Sequence, residues 1–184
     1  MRVVVVGAGL AGLVAARALA DDHDVVVFDK GRSVGGRLAT RRIGAARLDH
    51  GAQFFTVRGD DFRHQVDDWM ARDVAHVWCH GFAEEPDGHP RYCGTAGMNA
   101  LAKDLATGLD CRTGQLVFAC RPTEIGWDVV IDDGVVHEAD ALVLTCPVPQ
   151  SWALLVQAQL GVPDVLFRHE YHRTIGLLTV LDGP

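Results

Sequence analysis

The sequence predicts an α/β fold built around a central parallel sheet. Three observations point there. The chain opens with a β-branched run, Arg2 to Val6, that lacks polar alternation, as in a strand buried on both faces. A glycine-rich turn, Gly7 to Gly12, leads into a helix rich in Ala and Leu, Leu10 to Ala20. A second β-branched strand, Val25 to Phe28, completes a unit of about thirty residues, the size of a βαβ crossover.

The remaining elements follow in order. The opening MRVVVVGAGLAGLVAARALA has one basic residue before an apolar run, as signal peptides do. Glycines interrupt that run, however, and the turn Asp21-Asp22-His23-Asp24 follows it, which fits a strand, turn and helix better. Gly31 to Arg47 has little periodicity and reads as a functional loop or a short irregular helix. Phe62, Val66, Trp69 and Met70 recur at helical spacing, so Asp60 to Ala71 is expected to be an amphipathic helix that packs into a core. Gly97 to Ala106 reads as another helix. Leu116 to Cys120, Trp127 to Ile131, Val135 to His137 and Ala141 to Thr145 read as strands, with Asp133-Gly134 as a hairpin turn. They form a β-meander and then a further strand. Cys146-Pro147-Val148-Pro149 ends the last of these, Ser151 to Leu160 reads as a short helix, and Thr174 to Leu181 as an apolar strand.

Composition narrows the function classes. The chain has 184 residues, 48% apolar and 22% charged, which suits a folded domain and excludes disordered and fibrous classes. Its net charge is −7, so phosphate backbones and anionic lipid are repelled, and neither nucleic acid nor a membrane surface is expected as partner. No uninterrupted apolar stretch reaches the roughly 18 to 20 residues of a membrane span. Five scattered cysteines without a C-x-x-C fit a reduced, cytoplasmic setting. His76, Cys79 and His80 lie close in sequence, as do His169 and His172, but no second ligand pair has zinc-like spacing and no metal is expected.

Gly7-Ala8-Gly9-Leu10-Ala11-Gly12 is a G-x-G-x-x-G motif. Its glycines serve a tight turn, a close backbone approach to a pyrophosphate, and close helix–strand packing. The following helix directs free N–H groups and a partial positive charge at the phosphates. Asp29 ends the second strand about 20 residues on, where an acid grips ribose hydroxyls and disfavours a ribose 2′-phosphate. The fingerprint alone does not choose between NAD and FAD. Gly31-Arg32-Ser33-Val34-Gly35-Gly36-Arg37 continues it as R-x-x-G-G-R, with two glycines for backbone approach and Arg37 as a charge-assisted donor.

These residues resemble the flavoproteins of the amine-oxidase superfamily, and within it the bacterial renalase-like oxidoreductases. The likeness rests on VVVVGAGLAGLVAARAL, VFDKGRSVGGRLATRR, LDHGAQFFT, RYCGTAGMNALAKDL, ACRPTEI and LVLTCPVPQ. It implies a Rossmann-like FAD/NAD(P)-binding domain at 1–58 and 94–150, with the start of a mixed α+β substrate domain at 59–93 and 151–184. It implies FAD as cofactor. Gly7, Gly9, Leu10, Ala11 and Gly12 would hold the pyrophosphate, and Asp29 and Lys30 the ribose. Gly35, Gly36 and Arg37 would line the path to the flavin. Gly51, Ala52, Gln53, Phe54 and Phe55 would pass the flavin face, although core packing accounts for the two phenylalanines equally well. Asp49 and His50 read as structural. Pro122 stands where the family's backbone meets the adenine, and it lacks an N–H. Thr145 ends a strand on the ligand side of the sheet.

The implied reaction is oxidation of dihydronicotinamide isomers by hydride transfer to flavin, with oxygen as final acceptor. Such transfer needs alignment more than an acid or base, and no catalytic residue is assigned. Amine oxidases of the superfamily often place a lysine near the flavin. The two lysines here, Lys30 and Lys103, fall at the ribose end and on a surface helix, so an amine substrate finds less support. An amine oxidase or desaturase is nevertheless an alternative. Relatives of this kind continue far beyond position 184, so the sequence is expected to be a fragment or truncated product that holds FAD weakly or not at all. A non-catalytic dinucleotide-binding remnant is therefore the rival reading, with an exposed strand edge as a route to self-association.

Overall fold

The computed structural model describes residues 1–82 and 87–181. In chain order its elements are β1 (Arg2–Val6), α1 (Leu10–Ala20), β2 (Asp24–Asp29), β3 (Thr40–Ile43), β4 (Ala46–Asp49), α2 (Asp60–Ala71), β5 (Ala75–Cys79) and β6 (Arg91–Gly94). There follow α3 (Asn99–Leu105), β7 (Asp110–Thr113), β8 (Val117–Pro122), β9 (Trp127–Ile131), β10 (Val136–Ala139), β11 (Ala141–Leu144), α4 (Val148–Gln157) and a 3-10 turn at Asp164–Leu166. The chain forms two compact units: residues 1–36 with 105–173, and residues 37–104 with the segment that starts at Thr174. Residues 37–58 and 94–104, grouped with the cofactor-binding part from the sequence, pack within the second unit.

The first unit is α/β. Its parallel sheet has the order β11-β1-β2-β7. The unbroken valine run of β1 is explained by cover on both faces. Val4 and Val6, with Val26 and Phe28 of β2, join one core with Val117, Cys120, Val129, Ile131 and Ala139 of the antiparallel meander β8–β9–β10. Val3 and Val5 point to the other face, where α1 buries Leu13 and Ala16. Each such buried valine stabilises the fold by roughly 1.5–3 kcal/mol. The chain leaves β1 for β2 on one side, while β11 lies on the other. The turn after β1 therefore sits at a topological switch point, outside the carboxyl ends of the strands, where open α/β sheets bind ligands.

In the second unit α2 buries Val66 and Trp69 beside the β5–β6 hairpin, and the Trp69 indole N–H donates to Asp104 Oδ2 at 2.8 Å. Thr40 and Asp49 are paired across the β3–β4 hairpin. The Thr40 hydroxyl donates to Asp49 Oδ1, which also accepts from Met98 N–H at 2.9 Å, while Thr40 Oγ1 accepts from Asn99 N–H at 3.1 Å. Two side chains thus cap the start of α3 from a neighbouring hairpin.

Several expectations change. The stretch Gly31 to Arg47 contains the regular strand β3 and the start of β4, turned at Gly44 with φ +59°. Strands β5, β6 and β7 are short and mixed in polarity, so periodicity did not reveal them. The last helix begins three residues early, at Val148, because Pro149 falls in its first turn, where a missing N–H costs nothing. Thr174 to Leu181 forms no strand: Ile175 is 97% exposed, and no ladder partner reaches the segment among the described residues.

Candidate cofactor site

Within the first unit the structure brings the fingerprint residues together. Gly7 follows β1 with φ +106°, a conformation that favours glycine, and donates its N–H to Phe28 O at 2.8 Å. A Cβ on Gly12 would overlap Gly7 O and lie 2.7 Å from Thr145 Oγ1, so the helix sits against the strand only because position 12 is bare. Gly9 is different. Its φ −74° and ψ 179° suit any residue, and a Cβ there would meet nothing within 4 Å. Its bareness has no use inside the fold and leaves open space over the loop.

Gly9 is the N-cap of α1, and the first intrahelical bond runs from Leu13 N–H to Gly9 O. The N–H groups of Leu10, Ala11 and Gly12 are outside the helical ladder. No acidic residue occupies the first turn, so the partial positive charge of the helix end is available to an anion. A pyrophosphate fits this donor set and this space.

Asp29 has a role that the sequence did not disclose. Its Oδ2 accepts from Ala8 N–H and its Oδ1 from Gly31 N–H, both at 2.6 Å. The carboxylate ties the fingerprint loop to the end of β2. Each oxygen keeps a second lone pair, which is the capacity a ribose diol needs. The exposed Lys30 reaches Gln150 Oε1 at 3.4 Å. Gly35 N–H donates to Ala8 O at 2.8 Å, Gly35 bridges Gly9, and a Cβ on Gly36 would lie 3.4 Å from Gly9 Cα. The two glycine motifs are thus one site. Thr145 supports the loop from below: its hydroxyl lies 3.0 Å from both Val6 O and Gly7 O.

Pro122 does not belong to this site. It pairs with Trp127 at the far end of β8, and Trp127 pairs with Ala139. Thr123, Gly126 and Trp127 line one groove with Arg2 and Asp140, at the amino end of β1. A six-residue strand spans about 16 Å, so β8 carries Pro122 away from the loop. The residues at the ligand end are the ones before β8: Gly114 N–H donates to Gly31 O at 2.7 Å and Gln115 N–H to Asp29 O at 2.9 Å. Sequence reasoning missed them because their contacts are made by backbone. The Thr113-Gly114 turn between two strand patterns was the available signal.

In the second unit, Ala52 N–H donates to Arg37 O at 2.9 Å, and a Cβ on Gly51 would overlap that same carbonyl. Gly51 is therefore required by the fold itself. Phe55 packs with Phe62, Trp69 and Tyr92 and exchanges two backbone hydrogen bonds with Tyr92, both at 2.9 Å. Phe54 turns outward beside Trp78 and Phe82, and Gln53 is exposed.

Comparison with known proteins agrees with this geometry. The family profile described as NAD(P)-binding Rossmann-like domain matches residues 5–71. The chain thus has an α/β, Rossmann-like fold. It is 41% identical over 61 residues to an uncharacterized protein of Methanocaldococcus jannaschii, covering 33% of this chain and 16% of that one. It is 51% identical over 53 residues to a protein of Mycobacterium tuberculosis assigned as the flavin-containing monoamine oxidase AofH, covering 28% of this chain and 12% of that one. A crystal structure from Exiguobacterium sp. 255-15, assigned as a protoporphyrinogen oxidase, superposes with TM-score 0.64 at 14% identity over 84% of this chain and 61% of that one, a likeness of fold. The matches thus span a sixth or less of the curated relatives. Among the described residues no helix is long and apolar enough to cross a membrane.

Proposed function

We propose that the chain is the cofactor-binding part of an FAD-dependent oxidoreductase. The observation that carries this reading is the docking of Gly35-Gly36 onto Gly9, which extends the dinucleotide loop into one continuous glycine-lined backbone. In this reading the N–H groups of Leu10, Ala11 and Gly12 hold the pyrophosphate and Asp29 holds the ribose. Thr145 and Gly7 keep the loop in shape, and Gly114 and Gln115 border the nucleotide end. Of the Gly51–Phe55 stretch, Gly51, Ala52, Gln53 and Phe54 are exposed, and Gln53 offers both a donor and an acceptor to a ligand. FAD, when bound, would supply the hydride acceptor, with oxygen as the final acceptor. The substrate is a dihydronicotinamide isomer, in keeping with the likeness to renalase-like enzymes in LDHGAQFFT.

A flavin-containing amine oxidase is the second reading, favoured by the 51% identity to the assigned monoamine oxidase. Anaerobic mixing of the FAD-loaded chain with dihydronicotinamide isomers and, separately, with amines tests both. Rapid bleaching of the flavin by an isomer supports the proposal; bleaching by amines alone, or by neither, contradicts it.

A further inference from the structure

The second unit holds a side-chain relay that the cofactor site does not use. Cys93 Sγ lies 3.3 Å from His76 Nε2, its cross-strand partner in the β5–β6 hairpin. His76 Nδ1 lies 3.3 Å from Thr95 Oγ1, and the Thr95 hydroxyl donates to Asp73 Oδ1 at 3.3 Å. Asp73 sits just before β5 with φ +56°, a left-handed conformation uncommon outside glycine.

The chemistry of this row fixes its direction. An ionised carboxylate only accepts, so the single Thr95 proton is committed to Asp73. Thr95 Oγ1 must then accept from His76, which places the imidazole proton on Nδ1. The Nε2 lone pair is left facing the thiol. A nucleophile, a base and a group that orients the base stand in sequence, as an activated nucleophile requires.

We propose that Cys93 is a peroxide-reactive thiol, with His76 as its base and Thr95 and Asp73 setting the imidazole tautomer. The Cys93 proton passes to His76 Nε2 as the sulfur attacks one oxygen of hydrogen peroxide. The O–O bond breaks, and the leaving hydroxide takes the proton from the imidazolium and departs as water. Cys93 is oxidised by two electrons to the sulfenic acid, and the peroxide is reduced. Burial, the Asp49 carboxylate and the neighbouring Cys79 push the Cys93 thiol up from its ordinary value, so the thiol is protonated at rest and needs the base at the moment of attack. Among the described residues Cys93 is the cysteine with a histidine at hydrogen-bond distance. Cys120 is buried and pushed up to about 11, burial followed by Asp110 and Asp29 raises Cys111, and Cys146 lies 3.3 Å from the Ser151 hydroxyl.

The test is a time course of the full chain with added hydrogen peroxide and excess dimedone, read as the adduct at each cysteine by peptide mass mapping. Because the peroxide is supplied, its outcome is independent of flavin binding. Cys93 should react at least about 10²-fold faster than any other cysteine. His76→Gln should bring it down to their level, and Thr95→Val should slow it too. Equal rates at the cysteines of the unaltered chain, or an unchanged Cys93 rate in His76→Gln, would overturn the proposal.

Discussion

Gly9→Ala adds a methyl group in the open space over the fingerprint loop. The backbone there is already extended, and nothing lies within 4 Å of the new Cβ. Two small effects act on folding. The unfolded chain loses entropy, which stabilises by about 0.4–1 kcal/mol. Alanine is a poorer N-cap than glycine, which costs about 0.5 kcal/mol. They nearly cancel, so the melting midpoint should move by only about 1–2 °C. Binding should respond very differently. A pyrophosphate displaced from the helix end loses two charge-assisted hydrogen bonds at about 1.5–3 kcal/mol each. That is about 3–6 kcal/mol, or about 10²- to 10⁴-fold in Kd for FAD. Gly12→Ala is the control, because its Cβ overlaps Gly7 O and overpacking of this kind costs about 1–3 kcal/mol of stability. Thermal melts and FAD titrations on both variants separate the effects. A Gly9→Ala chain that binds FAD like the unaltered one would refute the assignment of that space to the phosphates.

Other outcomes follow from the same geometry. Asp29→Asn leaves one acceptor oxygen for two backbone donors, so either Ala8 or Gly31 loses its partner; the urea midpoint should fall by an amount worth about 1–3 kcal/mol, and an unchanged midpoint would exclude the tie. Asp104→Ala strands the indole N–H of Trp69, which is 2% exposed, at a cost of about 1–3 kcal/mol in chemical denaturation, whereas Asp104→Asn, which keeps an oxygen acceptor, should lose less. His137 packs on Phe28, and burial followed by the charges of Arg112 and Arg2 lowers its pKa below 6.5. The unfolded chain therefore binds this proton first: stability is full above about pH 6.5 and falls as pH drops from there through the lowered folded value. His137→Gln should flatten the slope of stability between pH 7.5 and 5.5, and an unchanged slope would show that other groups set it.

Strands β1, β2 and β11 of the parallel sheet, α1 and the meander were legible in the sequence because each carries a strong local signal. Valine runs mark doubly covered strands, G-x-G-x-x-G marks the first turn, and Asp133-Gly134 marks a hairpin whose Gly134 takes φ +89°. β3, β5 and β6 carried none. Their residues, such as Thr40, His76 and Cys93, alternate weakly, and β3 and its hairpin partner β4 are only four residues each, too short for a period to show. Around the fingerprint loop, the sequence picked out glycines and an Asp29 that the fold brings together, while positions that act through backbone were not legible. Gly114 and Gln115 act through N–H groups that any residue has, whereas Pro122 was misplaced because a motif position does not reveal which end of a strand it occupies. Gly51 shows the converse, since its small size is used by Arg37 O and not by a ligand.

In the proposed function the first unit's glycine loop holds FAD. Isothermal titration of the purified chain with FAD, beside circular dichroism to show that it is folded, tests this most directly. Saturable binding of one FAD per chain, lost in Gly9→Ala with the fold intact, is the result expected. A folded chain that takes up no FAD would contradict it.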